Sequence, residues 1–107
     1  MPEKWLDVVK ENLESGDEKP YSWTGRLNKK NGYIVLLKKQ MLFIEEHGFL
    51  NKTATLILKD EYKNIAKVEL QREQVKLFDA NGTTHTLETE SFSSVYAKLE
   101  ELRKQAA

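Results

Sequence analysis

The pattern of apolar and polar positions predicts seven short strands between two amphipathic helices. The strands are predicted at residues 22–27, 32–38, 41–46, 53–59, 65–70, 75–79 and 83–88. They recur about every ten residues with a turn former in each gap, which is typical of an antiparallel meander, sandwich or barrel. Alternation predicts inward faces made of Trp23/Gly25/Leu27, Ala54/Leu56/Leu58, Ala66/Val68/Leu70 and Val75/Leu77. The fold class expected from this pattern is mainly β.

Glycines mark two local features. Gly25 lies in the middle of the first predicted strand, where a glycine usually accompanies a sharp bend or the close approach of another backbone. Asn81 and Gly82 lie between two alternating segments. This dipeptide predicts a hairpin with a type I′ turn, because that turn needs a positive φ at both central residues.

One stretch breaks the alternation. Residues 32–48 have the sequence GYIVLLKKQMLFIEEHG, in which the apolar runs are continuous, so both faces of this predicted hairpin need cover. The core of the sheet is expected to cover one face. The outward set is one of two, Tyr33, Val35 and Leu37 or Ile34 and Leu36. Without a second cover, that outward face would be a surface for a partner or for a homodimer.

Residues 1–16 are predicted to form an amphipathic helix, followed by a linker at 17–20 and by the main domain at 21–107. Trp5, Val9 and Leu13 recur every four residues and form a narrow apolar stripe. Two interpretations are open: the stripe covers the sheet of its own domain, or it binds a partner protein.

A second helix is predicted at residues 91–105. Its apolar face is broad enough to close the open end of a curled sheet. The residues of that face are Phe92, Val95, Tyr96, Leu99 and Leu102.

Composition limits the class of protein. The 107 residues suffice for one domain with one core, and 39% apolar with 32% charged residues is ordinary for a globular chain. Positive and negative side chains balance at 17 each, whereas a nucleic-acid-binding protein usually has a basic excess. The sequence has no cysteine, no apolar run long enough for a membrane helix and no signal-peptide pattern. The expected compartment is therefore the cytoplasm, with peripheral contact to a membrane as the alternative.

Catalytic and metal-binding patterns are missing from the sequence. Of the two histidines, His47 ends a predicted hairpin strand, and His85 lies within a strand, where packing or hydrogen bonding in the sheet is expected. No glycine-rich phosphate loop, nucleophile motif or metal-ligand spacing occurs. Neighbouring acids such as Asp60 and Glu61 are interpreted as solvent-facing. We therefore expect a protein that is not an enzyme and that uses no cofactor or metal.

The order of elements resembles pleckstrin-homology-like (PH-like) domains, in particular the GRAM and prokaryotic PH-like branch. The resemblance covers residues 21–105 and rests on Gly25, the hairpin YIVLLKKQMLFI, the segment YKNIAKV at the start of the fifth strand, and the final helix SFSSVYAKLEEL. It implies two near-orthogonal sheets of four and three antiparallel strands, capped by the C-terminal helix. It also implies binding rather than catalysis, with phosphoinositides, other anionic lipids, peptides or proteins as ligands.

Residues 20–44 contain five cations and no acid. Lys29 and Lys30 lie in the first predicted turn, which in phosphoinositide-binding relatives contacts the phosphates. The basic residues that those relatives have on the second strand are absent here. Lys38 and Lys39 lie in the next turn, about 20 Å away at the other end of a seven-residue strand, so the five cations do not converge on one head group.

The loop that follows the third strand is expected at the same end as Lys29 and Lys30, with an apolar tip beside lysines. The predicted lipid- or ligand-binding residues are Arg26, Lys29, Lys30, His47, Phe49, Leu50 and Lys52. The predicted partner-binding residues are Trp5, Val9 and Leu13. The function expected is non-catalytic binding of a protein or peptide, with peripheral binding of anionic lipid as the alternative.

Overall fold

The structure is a computed structural model that describes residues 4–14, 16, 20–48 and 52–106. It confirms the predicted fold class, because seven antiparallel strands form one curled sheet with a helix at each end of the chain. The elements are α1 (Lys4–Glu11), β1 (Tyr21–Leu27), β2 (Lys30–Leu36), β3 (Gln40–His47), β4 (Thr53–Glu61), a 3₁₀ turn (Tyr62–Asn64), β5 (Ile65–Gln71), β6 (Gln74–Asp79), β7 (Thr84–Glu88) and α2 (Phe92–Ala106). Neither helix, over its described residues, is long and apolar enough to cross a membrane.

The strand order is β4-β3-β2-β1-β7-β6-β5, so β4 and β5 are the two edges of the sheet. The four-stranded and three-stranded halves meet where β1 pairs with β7. That junction is short, since it consists of Arg26 opposite Glu88 and Leu27 opposite Leu87. The two halves are therefore parts of one hydrogen-bonded sheet.

The inner face of the curled sheet and α2 form the main core. Three residues of α2, Val95, Leu99 and Leu102, are buried in it, as the periodicity of the sequence predicts. The strands contribute Leu27, Ile34, Leu36, Met41, Phe43, Ile65, Val68, Val75, Leu77 and Leu87. Ile34 and Leu36 thus face inward, and the other set of the hairpin faces outward.

The outward face of the β2–β3 hairpin is covered by α1. Trp5 stacks on Tyr33 with ring centroids 4.1 Å apart, and Val9 is buried beside it. The sheet residues beneath them are Val35, Leu37, Leu42 and Ile44. The partner-binding role predicted for Trp5 and Val9 is therefore corrected, because both side chains are buried on the sheet of their own chain. Leu13, the third residue of the stripe, remains 39% exposed.

A buried glutamine fixes the end of α1. Gln40 is 2% exposed, and its Nε2 donates to the carbonyl oxygen of Asn12 at 3.1 Å. Asn12 in turn donates from Nδ2 to the carbonyl oxygen of Val8. A buried amide needs such a partner, so the β2–β3 turn and the last turn of α1 hold each other in place.

The predicted inward faces of β4 and β5 are wrong at two bulges. Between Phe43 and Ile44 the pairing with β4 shifts by one residue. An extra residue in one strand reverses the facing of all that follow. Leu58 therefore packs on the inner core, whereas Ala54 and Leu56 pack under α1. In β5 a similar shift leaves Ala66 exposed, and Leu70 is exposed as well, so that of the predicted set only Val68 is buried.

The predicted hairpin at Asn81 and Gly82 is present, but its turn is of another type. Gly82 has a φ of 91° and Asn81 has no positive φ, so the loop is not type I′. The dipeptide with two positive φ values is Asn28-Lys29, at 49° and 74°, which joins β1 to β2. Asparagine tolerates this conformation better than most residues, which explains its place at the tighter turn.

Candidate functional site

The two segments predicted to bind a ligand lie at the same end of the sheet. Leu27 pairs with Lys30 around the first turn, and His47 pairs with Thr53 across the next loop at that end. Gly32 opposite Glu45 connects the two hairpins in register. Phe49 and Leu50, the predicted apolar tip, lie outside the described residues.

Two neighbouring carboxylates of β3 contact two of the predicted ligand-binding residues. Lys52 Nζ lies 3.5 Å from Glu46, and His47 Nε2 lies 3.0 Å from Glu45. Exposed pairs of this kind add little stability, but they offset the local positive charge. The structure therefore leaves this end of the domain less basic than the sequence indicates.

The remaining predicted cations are separated. Lys29 and Lys30 are exposed, and within the described residues neither forms an ion pair. Arg26 lies on β1 opposite Glu88. Lys38 and Lys39 line a different cavity of about 310 Å³ near the end of α2, as expected from the length of β2.

An open groove of about 640 Å³ lies beside Arg26, between β1 and the segment that joins β7 to α2. Two glycines face each other in its lining, since Gly25 pairs with Gly32. A pair without side chains leaves a depression where other pairs would fill the space. The side chains around it are Trp23, Arg26, Tyr33, Glu46, Glu88 and Glu90.

Close backbone contacts explain both glycines. A Cβ on Gly25 would lie 2.7 Å from the Glu88 carbonyl oxygen, and a Cβ on Gly32 would overlap the carbonyl oxygen of Ile44. The close backbone approach predicted at Gly25 is confirmed. The depression is thus required by the way the strands pack.

Hydrogen bonds from Thr89 fix the far wall of the groove. Its Oγ1 donates to the Thr24 carbonyl oxygen at 2.9 Å and accepts from the Ser91 N–H at 3.2 Å. The β7–α2 connection is therefore tied to β1, and Glu88 and Glu90 are held on either side of that tie. With Glu46, whose charge Lys52 partly offsets, they give the groove three carboxylates against the guanidinium of Arg26.

A second open depression of about 780 Å³ continues on the other side of the same connection. It shares Glu88, Thr89 and Glu90 with the groove, and adds Arg72, Glu73 and the ring of Phe92. The two depressions form a trough across the β7–α2 connection that has three aromatic side chains, Trp23, Tyr33 and Phe92, and an excess of acids.

The predicted ligand-binding residues do not include Glu88 and Glu90, the acids of the far wall of the trough. Glu88 and Glu90 are about sixty positions from Arg26 in the chain and look like ordinary surface acids. The sequence signal that points to them is Gly25, which predicts that another backbone lies close without saying which one. Across the described ranges, no group of three or more His, Asp or Glu side chains is placed to hold a metal ion.

Comparisons with known proteins bear on the fold. No protein-family model and no curated protein matches the chain. Among solved structures, the chain is similar to the C-terminal domain of an unknown protein from Leishmania infantum, with a TM-score of 0.62 and 13% sequence identity. The match covers 94% of this chain and 91% of that domain. At this identity the likeness shows a shared fold and carries nothing about a shared ligand.

Proposed function

We propose that this protein is a non-catalytic PH-like interaction module that binds an extended segment of a protein or peptide partner in the groove beside Gly25 and Gly32. The observation that carries the proposal is the groove itself, which is open, acidic and tied to β1 on its far side by Thr89. An extended chain fits a trough that runs across a strand and a loop, and aromatic rings beside it supply apolar contact area. The order of strands and helix, on which the resemblance to PH-like domains rests, supports a binding role.

The charge of the groove favours a partner with basic side chains. Glu88 and Glu90 attract lysine or arginine and repel phosphate and carboxylate groups, and Glu46, which pairs with Lys52, adds less. Such complementarity acts on the choice of partner and on the association rate more than on affinity. A segment that combines a basic residue with an aliphatic or aromatic one would satisfy both the acids and the rings.

The proposal predicts selective binding of basic peptides. We expect a lysine- and arginine-rich decapeptide with one aromatic residue to shift the backbone amide signals of Gly25, Gly32 and Thr89 in nitrogen-15 NMR spectra. An acidic decapeptide of the same length should leave them unmoved. Changing Glu88→Gln and Glu90→Gln together should weaken binding about tenfold, equivalent to about 1.4 kcal/mol.

The matched control is Asp7→Asn with Glu11→Gln, which removes the same charge from exposed positions on α1. It is expected to bind like the unchanged chain. Equal loss in both double variants would mean that only net charge matters, and the groove would then be rejected as the site. Shifts confined to residues far from the groove would reject it as well.

Anionic lipid is the second candidate, and the exposed Lys29 and Lys30 favour it. Both lysines lie at one end of the sheet with no ion pair in the described part of the chain. If lipid is the ligand, the chain sediments with vesicles containing phosphatidylserine at low ionic strength, and Lys29→Glu with Lys30→Glu abolishes this. If it stays in the supernatant, the lipid hypothesis fails.

A further inference from the structure

We propose that Asp60, Asp79 and His85 form a proton-dependent latch that fastens the C-terminal end of β4 to the β6–β7 hairpin. The latch lies away from the groove, at the seam where the two edges of the curled sheet approach each other. Asp60 is the residue before the end of β4, and Asp79 ends β6. β4 and β5 share no strand pairing and are joined through the 3₁₀ turn, so side chains add contacts across this seam.

The two carboxylate oxygens of Asp79 differ in their surroundings: one contacts His85, and the other is buried and needs a hydrogen-bond donor. Its side chain is 14% exposed, and its Oδ2 lies 3.1 Å from His85 Nε2. Its Oδ1 is buried and, within the described residues, no hydrogen bond reaches it from an N–H or a hydroxyl. The carboxyl of Asp60 is the neighbouring group, since hydrogen bonding and charge from Asp79 are among the causes that raise the pKa of Asp60. Two carboxyls in contact share one proton, so a protonated Asp60 donates where Asp79 lacks a donor.

The network continues from His85 to the β1–β2 turn. Asn28 Nδ2 lies 3.5 Å from His85 Nδ1, and Asn28 Oδ1 accepts the backbone N–H of Thr86 at 2.9 Å. An amide nitrogen only donates, so His85 Nδ1 accepts and Nε2 carries the proton that it donates to Asp79. One chain of hydrogen bonds therefore runs from the seam to the turn that bears Lys29.

The two charges that act on the pKa of Asp60 are both negative and disfavour its ionisation. Asp79 on β6 and Glu61 on its own strand are negative, and Met41, its partner on β3, is uncharged. Two cations on neighbouring elements have their own partners. Lys63 of the 3₁₀ turn pairs with Glu61 at 3.1 Å, and Arg103 of α2 contacts Glu100 and the carbonyl oxygens of Ile65 and Ala66.

This environment sets the range of pH in which the latch holds. Burial, followed by the hydrogen bond and the negative charge of Asp79 and by the charge of Glu61, raises the pKa of Asp60 from 3.8 to about 7. Between these two values the folded chain binds more protons than the unfolded chain, so rising pH destabilises it. The contribution of the latch is fully present below about pH 4 and is lost as the pH rises through about 7.

The test compares the unchanged chain with Asp60→Asn, whose amide donates to Asp79 at every pH. The reporter is hydrogen exchange at the Ala80 amide, which is bonded to the Asn64 carbonyl oxygen at 2.8 Å beside the seam. The measured quantity is the ratio of the protection factor of this amide in the unchanged chain to that in Asp60→Asn. This ratio should fall about tenfold between roughly pH 5.5 and 8. The expected change is modest because Asp60 is partly solvated. A ratio that stays constant with pH would overturn the proposal.

A direct titration keeps the proposal testable if Asp60→Asn does not fold. The carbon-13 signal of the Asp60 carboxyl in the unchanged chain should titrate near neutral pH, and Asp79→Asn should move that midpoint towards the ordinary range. Glu61→Gln is the matched control with the same loss of charge, and it should move the midpoint less. A midpoint near the value of a free aspartate in the folded, unchanged chain would reject the latch.

Discussion

Gly32→Ala is expected to lower the free energy of unfolding by about 3 kcal/mol or more, at the upper end for overpacking of a core. The added Cβ would overlap the carbonyl oxygen of Ile44 and lie 2.9 Å from the Cα of Glu45. Both are backbone atoms, so no rotation of a side chain relieves the overlap, and β2 has to move away from β3. That movement disturbs the inner and the outer core together, because they lie on opposite faces of this hairpin.

Urea unfolding followed by tryptophan fluorescence measures this effect. The control is Gly82→Asn, in the β6–β7 loop, where a Cβ would meet no atom within 4 Å but the positive φ of 91° strains any residue with a side chain. We expect that change to cost about 1 kcal/mol, from backbone strain alone, because asparagine tolerates a positive φ better than most residues. Equal stability of Gly32→Ala and Gly82→Asn would show that the strands adjust at little cost and that the steric argument is wrong.

Alternation of apolar and polar residues predicts much of the architecture, because the inward residues of each strand have to pack in one shared core. The apolar faces of β1 and β6 and the stripe of α2 are predicted correctly for this reason. The continuous apolar runs of β2 and β3 also predict a second cover. The sequence leaves open whether α1 or a partner supplies that cover, since the stripe of Trp5 and Val9 suits both.

The positions of the bulges cannot be predicted from the sequence of one strand. A bulge is a mismatch between two strands, and neither Leu56 nor Leu58 shows which residue of β3 lies opposite. The turn types were ambiguous in the same way. Asn81-Gly82 has the residues of a type I′ turn, yet the hairpin takes a longer loop there, and the tight turn falls at Asn28-Lys29.

The candidate sites depend on residues distant in sequence. Glu88 reaches Arg26 only through the short β1–β7 pairing, and Asp60 reaches Asp79 only because the sheet curls until its edges approach. From the sequence Asp60 was interpreted as a solvent-facing neighbour of Glu61, whereas the structure places it partly buried at the seam. For His85 the expected hydrogen bonding within the sheet is confirmed.

Trp5→Ala is expected to destabilise the chain by about 3 kcal/mol and to promote self-association. Trp5 supplies the stacking on Tyr33, and α1 is too short to persist once this contact is lost. Its detachment exposes an apolar face that includes Val35 and Leu42, and such a face is a surface for a second copy. Urea unfolding measures the stability, and sedimentation velocity over a range of concentrations measures the association.

Leu13→Ala, at the 39% exposed end of the same stripe, is the control and should change the stability by less than about 0.5 kcal/mol. Trp5→Phe, which keeps an aromatic ring over Tyr33, should fall between the two, whereas equal effects of Trp5→Ala and Leu13→Ala would show that burial of Trp5 does not hold α1 on the sheet.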